Sequence, residues 1–213
     1  MGPELGHFAL IVAFSLALLQ AVVPLAGSYV GIQKWMQLGK SLSIGHLIFT
    51  IISFACLTKA FLDDDFSVAY VVNNSNTILP QHFKASAVWG AHEGSLLLWA
   101  LILAGWTCAV AFFCRALPPV FLARVLSVQA MIAVGFGLFL LITSNPFERT
   151  LPFPPMEGAD LNPLLQDIGL IIHPPLLYMG YVGFSVPFAF AISALLCGQF
   201  DSAWARWCRI WVN

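Results

Sequence analysis

Charged residues are scarce in this sequence. They make up 9% of its 213 residues, whereas about a quarter of a typical soluble domain is charged. Nine basic and ten acidic side chains leave a formal net charge of −1, so the chain has no excess of basic residues with which to bind nucleic acid. The composition indicates that water is not the main solvent of this protein, and it excludes a DNA or RNA partner.

The sequence also lacks the cysteine patterns of metal sites and disulfide frameworks. Its five cysteines are odd in number and include no Cys-x-x-Cys pair, so neither a zinc site nor a set of disulfides is predicted. A Cys-x-x-Cys-His motif is absent as well, which excludes a c-type cytochrome.

A basic segment ahead of the first apolar run is missing. Glu4 and His7 are the ionisable side chains of this region, and the apolar run Leu5–Leu25 is longer than the hydrophobic region of a signal peptide. We therefore expect this run to be retained as a first membrane span.

Ionisable side chains are missing from the centres of the apolar runs. Lys59 and Arg124 lie near the ends of runs, from which they can reach the interface, and His46 is expected about two turns from the cytoplasmic end. Because ion pumps and proton relays need such groups at membrane depth, a transporter subunit is the less favoured hypothesis.

Apolar residues are abundant, at 60% of the chain. Runs long enough to cross a hydrocarbon core of about 30 Å lie at Leu5–Leu25, Ser41–Leu62, Ser95–Cys114, Val120–Thr143 and Pro174–Leu196. The sequence therefore predicts an all-α integral membrane protein of about five transmembrane helices, with residues 1–213 forming a single membrane domain.

The distribution of basic residues predicts the orientation of these spans. Lys and Arg near span ends mark the cytoplasmic side, and they fall in alternate connections and in the tail, at Lys34, Lys40, Arg115, Arg124, Arg206 and Arg209. The other two connections, 63–94 and 144–173, are mainly acidic, with Lys84 and Arg149 as their basic residues. We expect the N-terminus outside and the C-terminus in the cytoplasm.

The two outer connections are long for loops, and long loops are usually functional or disordered. The first contains a short β-prone run, Phe66–Val72, followed by turn residues, and the second is rich in proline. We expect both loops to be ordered and the function of the protein to lie on the outer face.

His173 is the first candidate on that face, because it precedes Pro174 and Pro175. A residue before proline avoids the α-helical region, and proline suits the first helical turn, so His173 is expected to mark the start of the last helix. An imidazole held there, beside Tyr178 and Met179, can act as an axial ligand of haem iron. The simpler alternative is a polar residue that satisfies a helix end.

The segment Trp89–Ser95 is the second candidate. Its two glycines permit a tight backbone, and Ser95 can cap the helix that follows. His92 and Glu93 are a potential ligand or acid–base pair, although adjacent residues of a helix face different ways. The alternative is an interfacial tryptophan belt with a capped helix start.

The third feature is the tail, where Trp204, Trp207 and Trp211 recur at helical spacing with Arg206 and Arg209 between them. This pattern is typical of an interfacial segment anchored by aromatic and basic residues. No ligand role is predicted there.

Longer strings in the sequence resemble a known family. They are Asp65–Tyr70, Trp89–Trp99, Thr143–Phe147, Asp160–Asp167 and His173–Tyr181. With them the chain resembles the haem-lyase membrane subunit of bacterial cytochrome c maturation, the CcmF/NrfE type, over nearly its whole length.

The resemblance implies a role for the candidate residues. In that family the histidine of the His-Pro-Pro motif is one of two outer histidines that hold haem, and His173 occupies this position, as an axial ligand of the haem iron. His92, Trp89 and Tyr178 are further candidates for haem contact. The haem is b-type and is a substrate in transit, held for covalent attachment to apocytochrome c.

The resemblance also implies partners and a location. The partners are a haem-loaded chaperone, other cytochrome c maturation subunits, apocytochrome c and membrane lipid. The location is the bacterial inner membrane, as a multi-pass protein with the loops 63–94 and 144–173 facing the periplasm.

The sequence departs from the family pattern as well. Family members are much longer and carry a Trp-Trp-Asp segment, a second outer histidine and two histidines within spans, none of which this chain contains. Ile168 stands where a proline is expected, a change that lets a helix begin earlier. We expect the N-terminal portion of a longer architecture that is not competent alone as a lyase. If the subunit is split, the missing C-terminal portion is a further partner, and the alternative is an inactive or docking-only scaffold.

Overall fold

The computed structural model describes residues 1–114, 117–198 and 202–211. Within these ranges the chain forms α-helices and one short 3-10 helix, Pro163–Leu165, and no β-strand. The α-helices are α1 Gly2–Val30, α2 Gln33–Leu62, α3 Ala69–Asn74, α4 Gln81–Ala87, α5 His92–Phe113, α6 Pro119–Ile142, α7 Ile168–Gly183, α8 Ser185–Cys197 and α9 Ser202–Arg209.

Five helical stretches of the described chain are long and apolar enough to cross a membrane. They are Gly2–Val30, Gln33–Leu62, His92–Phe113, Pro119–Ile142 and Ile171–Cys197. The prediction of an all-α membrane protein with five spanning helices is confirmed.

The connection between the first two spans is much shorter than predicted. We expected a loop over Ala26–Lys40, but α1 continues to Val30 and α2 begins at Gln33. Gly31 ends α1 in the left-handed conformation, with φ of 78°, and donates its N–H to the carbonyl of Gly27. The polar residues after it remain helical because a helix can extend beyond the apolar part of its sequence.

The last span is a broken helix, with α7 ending at Gly183 and α8 beginning at Ser185. Pro187 explains the break, because proline has no N–H to donate and its ring crowds the preceding turn. After the break, α8 buries Val186, Ala189 and Phe190. The Phe190 ring lies 5.7 Å from that of Phe121 in α6, so α8 packs on α6.

Helix α6 carries polar side chains into the interior of the bundle. Ser127 donates to the carbonyl of Gln20 in α1 at 3.1 Å. Gln129 accepts from Thr107 of α5 at 3.4 Å and from Ser185 of α8 at 3.2 Å. Each such bond between membrane helices contributes about 0.6 kcal/mol on average, so α6 joins three helices by polar contacts as well as by packing.

Arg124 does not reach the interface as we expected. It is 8% exposed and donates to the Ser28 hydroxyl at 3.1 Å and to the Leu196 carbonyl at 2.5 Å. Its guanidinium also lies 4.8 Å from the ring centroid of Tyr29. The side chain therefore links α1, α6 and α8. Arg115, which also supported the orientation, lies outside the described residues.

The position of His46 also differs from the expectation. Because α2 begins at Gln33, His46 lies about 20 Å along the helix at its ordinary rise, rather than two turns from an end. The imidazole is buried, with 5% of the residue exposed.

The tail, which comprises α9 and the residues just after it, packs its tryptophans against the bundle. The Trp207 ring lies 5.3 Å from Phe121 and the Trp211 ring 6.1 Å from Trp106. Arg206 and Arg209 are exposed. The aromatic residues of the tail thus contact protein, while the basic residues face outward.

The two long connections and the start of α1 meet on one side of the bundle, here called the loop face (residues 1–8, 63–91 and 143–167). The β-prone run predicted at Phe66–Val72 is wrong as a strand, because α3 begins at Ala69 and only an isolated bridge joins Val68 to Arg149. Tyr70 of this run is buried; tertiary packing has overridden its local β propensity.

Hydrogen bonds tie the two connections together. Ala69 donates its N–H to the Glu148 carbonyl at 2.8 Å, and Thr150 donates to the Ser67 carbonyl at 2.9 Å. Further along, the Thr77 hydroxyl donates to Glu157 at 2.6 Å. Donation by the Thr77 hydroxyl, and by the backbone N–H groups of Thr77 and Gly158, holds the Glu157 pKa below its ordinary value.

Ion pairs complete the loop face. Lys84, whose side chain is 6% exposed, lies 2.6 Å from Asp64. Arg149 lies 3.0 Å from Glu4 at the start of α1 and 3.7 Å from Asp65. Each basic residue of the two connections is therefore neutralised by a carboxylate of the same chain.

Candidate functional site

His173 lies within a helix and not at its start. Asp167 caps α7 by accepting the Gly169 N–H at 2.8 Å, so the helix begins at Ile168 and His173 is its sixth residue. The expectation that the histidine marks the helix entrance is wrong, because the aspartate starts the helix ahead of the prolines. Pro174 and Pro175 are consequently inside α7.

The surface around His173 is apolar. The imidazole is exposed, and its neighbours Ile172 and Leu176 are 52% and 62% exposed. Met179, one turn further on, is 50% exposed. An imidazole nitrogen among apolar side chains has the chemistry to accept an iron porphyrin, which has an apolar ring and needs axial ligands.

Trp89 reaches α7 through its indole. Its Nε1 donates to the backbone carbonyl of Ile171 at 3.1 Å, two residues before His173. Trp89 is therefore brought to the helix that carries His173, where it contacts the backbone.

Tyr178 faces α5. Its ring centroid lies 5.2 Å from that of Trp99, and its hydroxyl lies 3.5 Å from the Ser95 hydroxyl. Ser95 is not the helix cap that we expected, because α5 begins at His92 with Ala91 before it. Ser95 instead donates back to the Trp89 carbonyl at 2.8 Å.

His92 points toward α6. Its ring lies 5.7 Å from that of Phe139 and lines an open cleft of about 360 Å³. The remaining lining residues are apolar or glycine: Leu96, Ile132, Gly135, Phe136 and Phe139. Of the four candidates, His173 and Tyr178 therefore lie on α7 and Trp89 bonds to its backbone, whereas His92 contacts a different helix.

Two other histidines belong to the loop face. The imidazole of His7 lies 3.3 Å from the side-chain oxygen of Asn145, and His82 is exposed beside Phe83. In the part of the chain that the structure describes, no group of three His, Cys, Asp or Glu side chains is placed to hold a metal ion.

Tyr70 supports the site and was not recognised from the sequence. Its buried phenol donates to the Val88 carbonyl at 3.0 Å and accepts the Ala91 N–H at 3.2 Å. Burial raises the pKa of this phenol above its ordinary value, which keeps it protonated as a donor. Its place in the family-like string Asp65–Tyr70 is the signal that could have identified it.

Gly94 makes this contact possible. A Cβ at Gly94 would collide with the carbonyl of Val88 and lie 2.8 Å from the Tyr70 hydroxyl. The glycine is required by this close approach and not by a positive φ.

Comparison with known proteins identifies the family. A family described as cytochrome C assembly protein matches residues 89–212. The chain is 65% identical over 211 residues to the cytochrome c-type biogenesis protein CcmF of Pseudomonas aeruginosa, covering 99% of this chain and 32% of that protein. The CcmF of Escherichia coli K12 is 54% identical, with 99% and 33% covered.

Less similar proteins also carry cytochrome c biogenesis or haem lyase names. The cytochrome c-type biogenesis protein NrfE of Haemophilus influenzae is 46% identical, covering 100% of this chain and 33% of that protein. A solved structure titled cytochrome c heme lyase CcmF superposes with a TM-score of 0.84 at 27% identity, over 99% of this chain and 33% of that one.

The chain thus spans about a third of the length of the curated relatives it matches. The predicted resemblance to the CcmF/NrfE type is confirmed, and the chain belongs to the cytochrome c assembly protein family.

Proposed function

We propose that this chain serves cytochrome c maturation as part of a haem-lyase subunit. In this function it holds b-type haem, a substrate in transit, on the periplasmic side of the bacterial inner membrane for covalent attachment to apocytochrome c. The observation that carries the proposal is the exposed imidazole of His173 among apolar side chains of α7, in a chain 65% identical to a CcmF protein.

His173 has the chemistry of an axial ligand. A neutral imidazole offers a nitrogen lone pair to haem iron, and the exposed faces of Ile172 and Leu176 offer apolar contact to the ring. Tyr178 lies on the α5 side of the same helix, where it supports the helix. His92 faces α6 and is the weaker candidate for haem contact.

The loop face supports the proposed orientation. Glu4 of α1 and Arg149 of the second connection form an ion pair, so the N-terminus and the two connections share one side. We assign this side to the periplasm, because the basic span ends lie on the other side of the single membrane domain. Lipid surrounds the exposed apolar surface of the spans.

The partners follow from the reaction. A haem-loaded chaperone supplies the haem, other maturation subunits hold the assembly, and apocytochrome c receives the haem. The chain spans 32% of the Pseudomonas aeruginosa relative, and the remaining portion of that architecture is a further partner if the subunit is split. The same fraction favours a second candidate function, a scaffold that docks partners without holding haem.

Haem titration separates the two functions. Ferric haem is added to the purified chain in detergent, and the Soret band is compared for the wild type, His173→Ala and the control His82→Ala, which changes an exposed histidine of the loop face. We expect His173→Ala to weaken binding at least roughly tenfold, the effect of losing about 1.4 kcal/mol, and His82→Ala to leave it unchanged. Equal binding by His173→Ala would favour the docking scaffold.

A further inference from the structure

We propose that Trp89 is a positioning residue for His173, because its indole N–H supplies the hydrogen bond that Pro175 cannot donate within α7. The proposal rests on the proposed function, since it gives Trp89 a purpose only where His173 holds haem. In this role Trp89 acts through the helix and does not need to contact haem.

The geometry of an α-helix identifies the unmet carbonyl. In a regular helix the N–H of residue 175 would bond to the carbonyl of residue 171. Pro175 has no N–H, and the Ile171 carbonyl receives the Trp89 indole N–H at 3.1 Å instead. A side chain from another segment therefore completes the helix at the position where the proline leaves it incomplete.

Trp89 is itself held from both sides. Its carbonyl accepts the Ser95 hydroxyl at 2.8 Å, and its N–H donates to the Ser86 carbonyl at 3.1 Å. The preceding carbonyl, that of Val88, accepts the buried Tyr70 hydroxyl at 3.0 Å. Because these bonds fix the backbone around Trp89, the indole is a defined donor for α7.

His173 lies where α7 would otherwise be weakest. Pro174 and Pro175 follow it directly, and consecutive prolines inside a helix remove two hydrogen bonds and favour a kink. The Asp167 cap secures the first turn, and the Trp89 bond secures the next. The direction of the imidazole therefore depends on the bond to Ile171.

Trp106 provides a matched comparison on the same helix. Its indole donates to the Met179 carbonyl at 3.2 Å. The residue four positions later is Gly183, which retains an N–H for that carbonyl. The Trp106 bond is thus an addition to the helix, whereas the Trp89 bond replaces one that is missing.

The experiment compares Trp89→Phe with Trp106→Phe, each of which removes the indole N–H and keeps an aromatic ring. Haem affinity is measured by Soret titration, and hydrogen exchange is followed for the amides of α7. We expect Trp89→Phe to weaken haem binding about twofold to tenfold, the range for one hydrogen bond, and to speed exchange in the turns around His173. Trp106→Phe leaves both measurements near the wild type.

Rescue by Pro175→Ala is the decisive arm. Alanine supplies the N–H that the Ile171 carbonyl lacks, so the double variant Trp89→Phe with Pro175→Ala regains wild-type haem affinity and slow exchange. Failure of Pro175→Ala to rescue, or an unchanged Trp89→Phe, overturns the proposal.

Two further measurements distinguish failure of the proposed function from failure of the Trp89 proposal. If His173→Ala binds haem like the wild type, the proposed function fails, and the hydrogen exchange of α7 still tests the Trp89 bond without haem. If Trp89→Phe accumulates poorly, the rescue is scored on the amount of membrane-inserted chain. Restoration by Pro175→Ala then supports the bond, and no restoration contradicts it.

Discussion

The loop face and the first turns of α7 differ in how they treat polar side chains. On the loop face Lys84 is paired with Asp64 and Arg149 with Glu4. On α7 the His173 imidazole is exposed among apolar residues, and nothing in the described chain hydrogen-bonds to it. The loop face therefore neutralises its basic side chains within the chain, whereas the His173 imidazole has no hydrogen-bond partner in the described residues, as the proposed ligand role requires.

The largest effect is expected when the site at His173 is supplied with the remaining portion of the family architecture. We expect this chain alone to attach no haem to apocytochrome c, and the chain together with the remaining two-thirds of a CcmF relative to restore maturation. A six-coordinate haem with two histidines needs a second imidazole, and membrane helices can fold individually before associating. Haem staining of c-type cytochromes in a strain without its own lyase subunit measures the result. Full maturation by the chain alone would show that the site is misplaced.

The scaffold is tested by unpairing its buried cation. Asp64→Asn leaves the buried Lys84 ammonium without its carboxylate partner, and we expect a loss of about 3 kcal/mol in the free energy of unfolding, as for other buried pairs broken on one side. Unfolding is followed in detergent by circular dichroism. Lys34→Ala, at an exposed position of α2, is the control and changes stability little. A loss as small as that of the control would mean that the ion pair does not hold the loop face together.

The sequence predicted the part of this fold that depends on composition. Five apolar runs became five spans because lipid selects them by length and hydropathy. The same criterion failed at Lys34 and Lys40, which lie in a polar stretch that remains helical in α2. It also failed at Arg124, whose burial depends on Ser28 and Tyr29 more than ninety positions earlier in the chain.

The candidate site was predicted only in part, because its contacts also join segments that lie far apart in the sequence. The proline rule placed His173 at a helix start, but the Asp167 cap moved that start to Ile168. The contacts of Trp89 and Tyr70 join segments far apart in sequence. Neither pairing leaves a periodic pattern, so the sequence singled out the segment of Trp89 without its contact to α7 and did not identify Tyr70.

The close contact of Gly94 with Val88 and Tyr70, which joins the loop face to α5, is tested by substitution of the glycine. Gly94→Ala places a Cβ against the Val88 carbonyl, and we expect a loss of about 2 to 3 kcal/mol in the free energy of unfolding from overpacking. Gly105→Ala on the same helix has open space around its Cβ, so it should be neutral or slightly stabilising. Thermal unfolding of the two variants distinguishes these outcomes, and equal stability would contradict the close approach.

The pH dependence of stability tests the contribution of Tyr70 to the same contact. Its folded-state pKa is raised by burial, so its contribution to stability is complete below the ordinary tyrosine pKa of about 10 and is lost as pH rises toward the folded value. We expect Tyr70→Phe to cost about 1 kcal/mol at neutral pH, from the lost hydrogen bonds. The difference between wild type and variant should shrink in alkaline solution, and a constant difference would exclude titration of this phenol.

The most direct test of the central claim is chemical rescue of the ligand. His173→Gly removes the imidazole and leaves space on the apolar surface of α7. We predict that haem titrated into this variant shows no histidine-ligated Soret band until free imidazole is added, when the wild-type spectrum returns. A wild-type spectrum without added imidazole would contradict the assignment of His173 as the haem ligand.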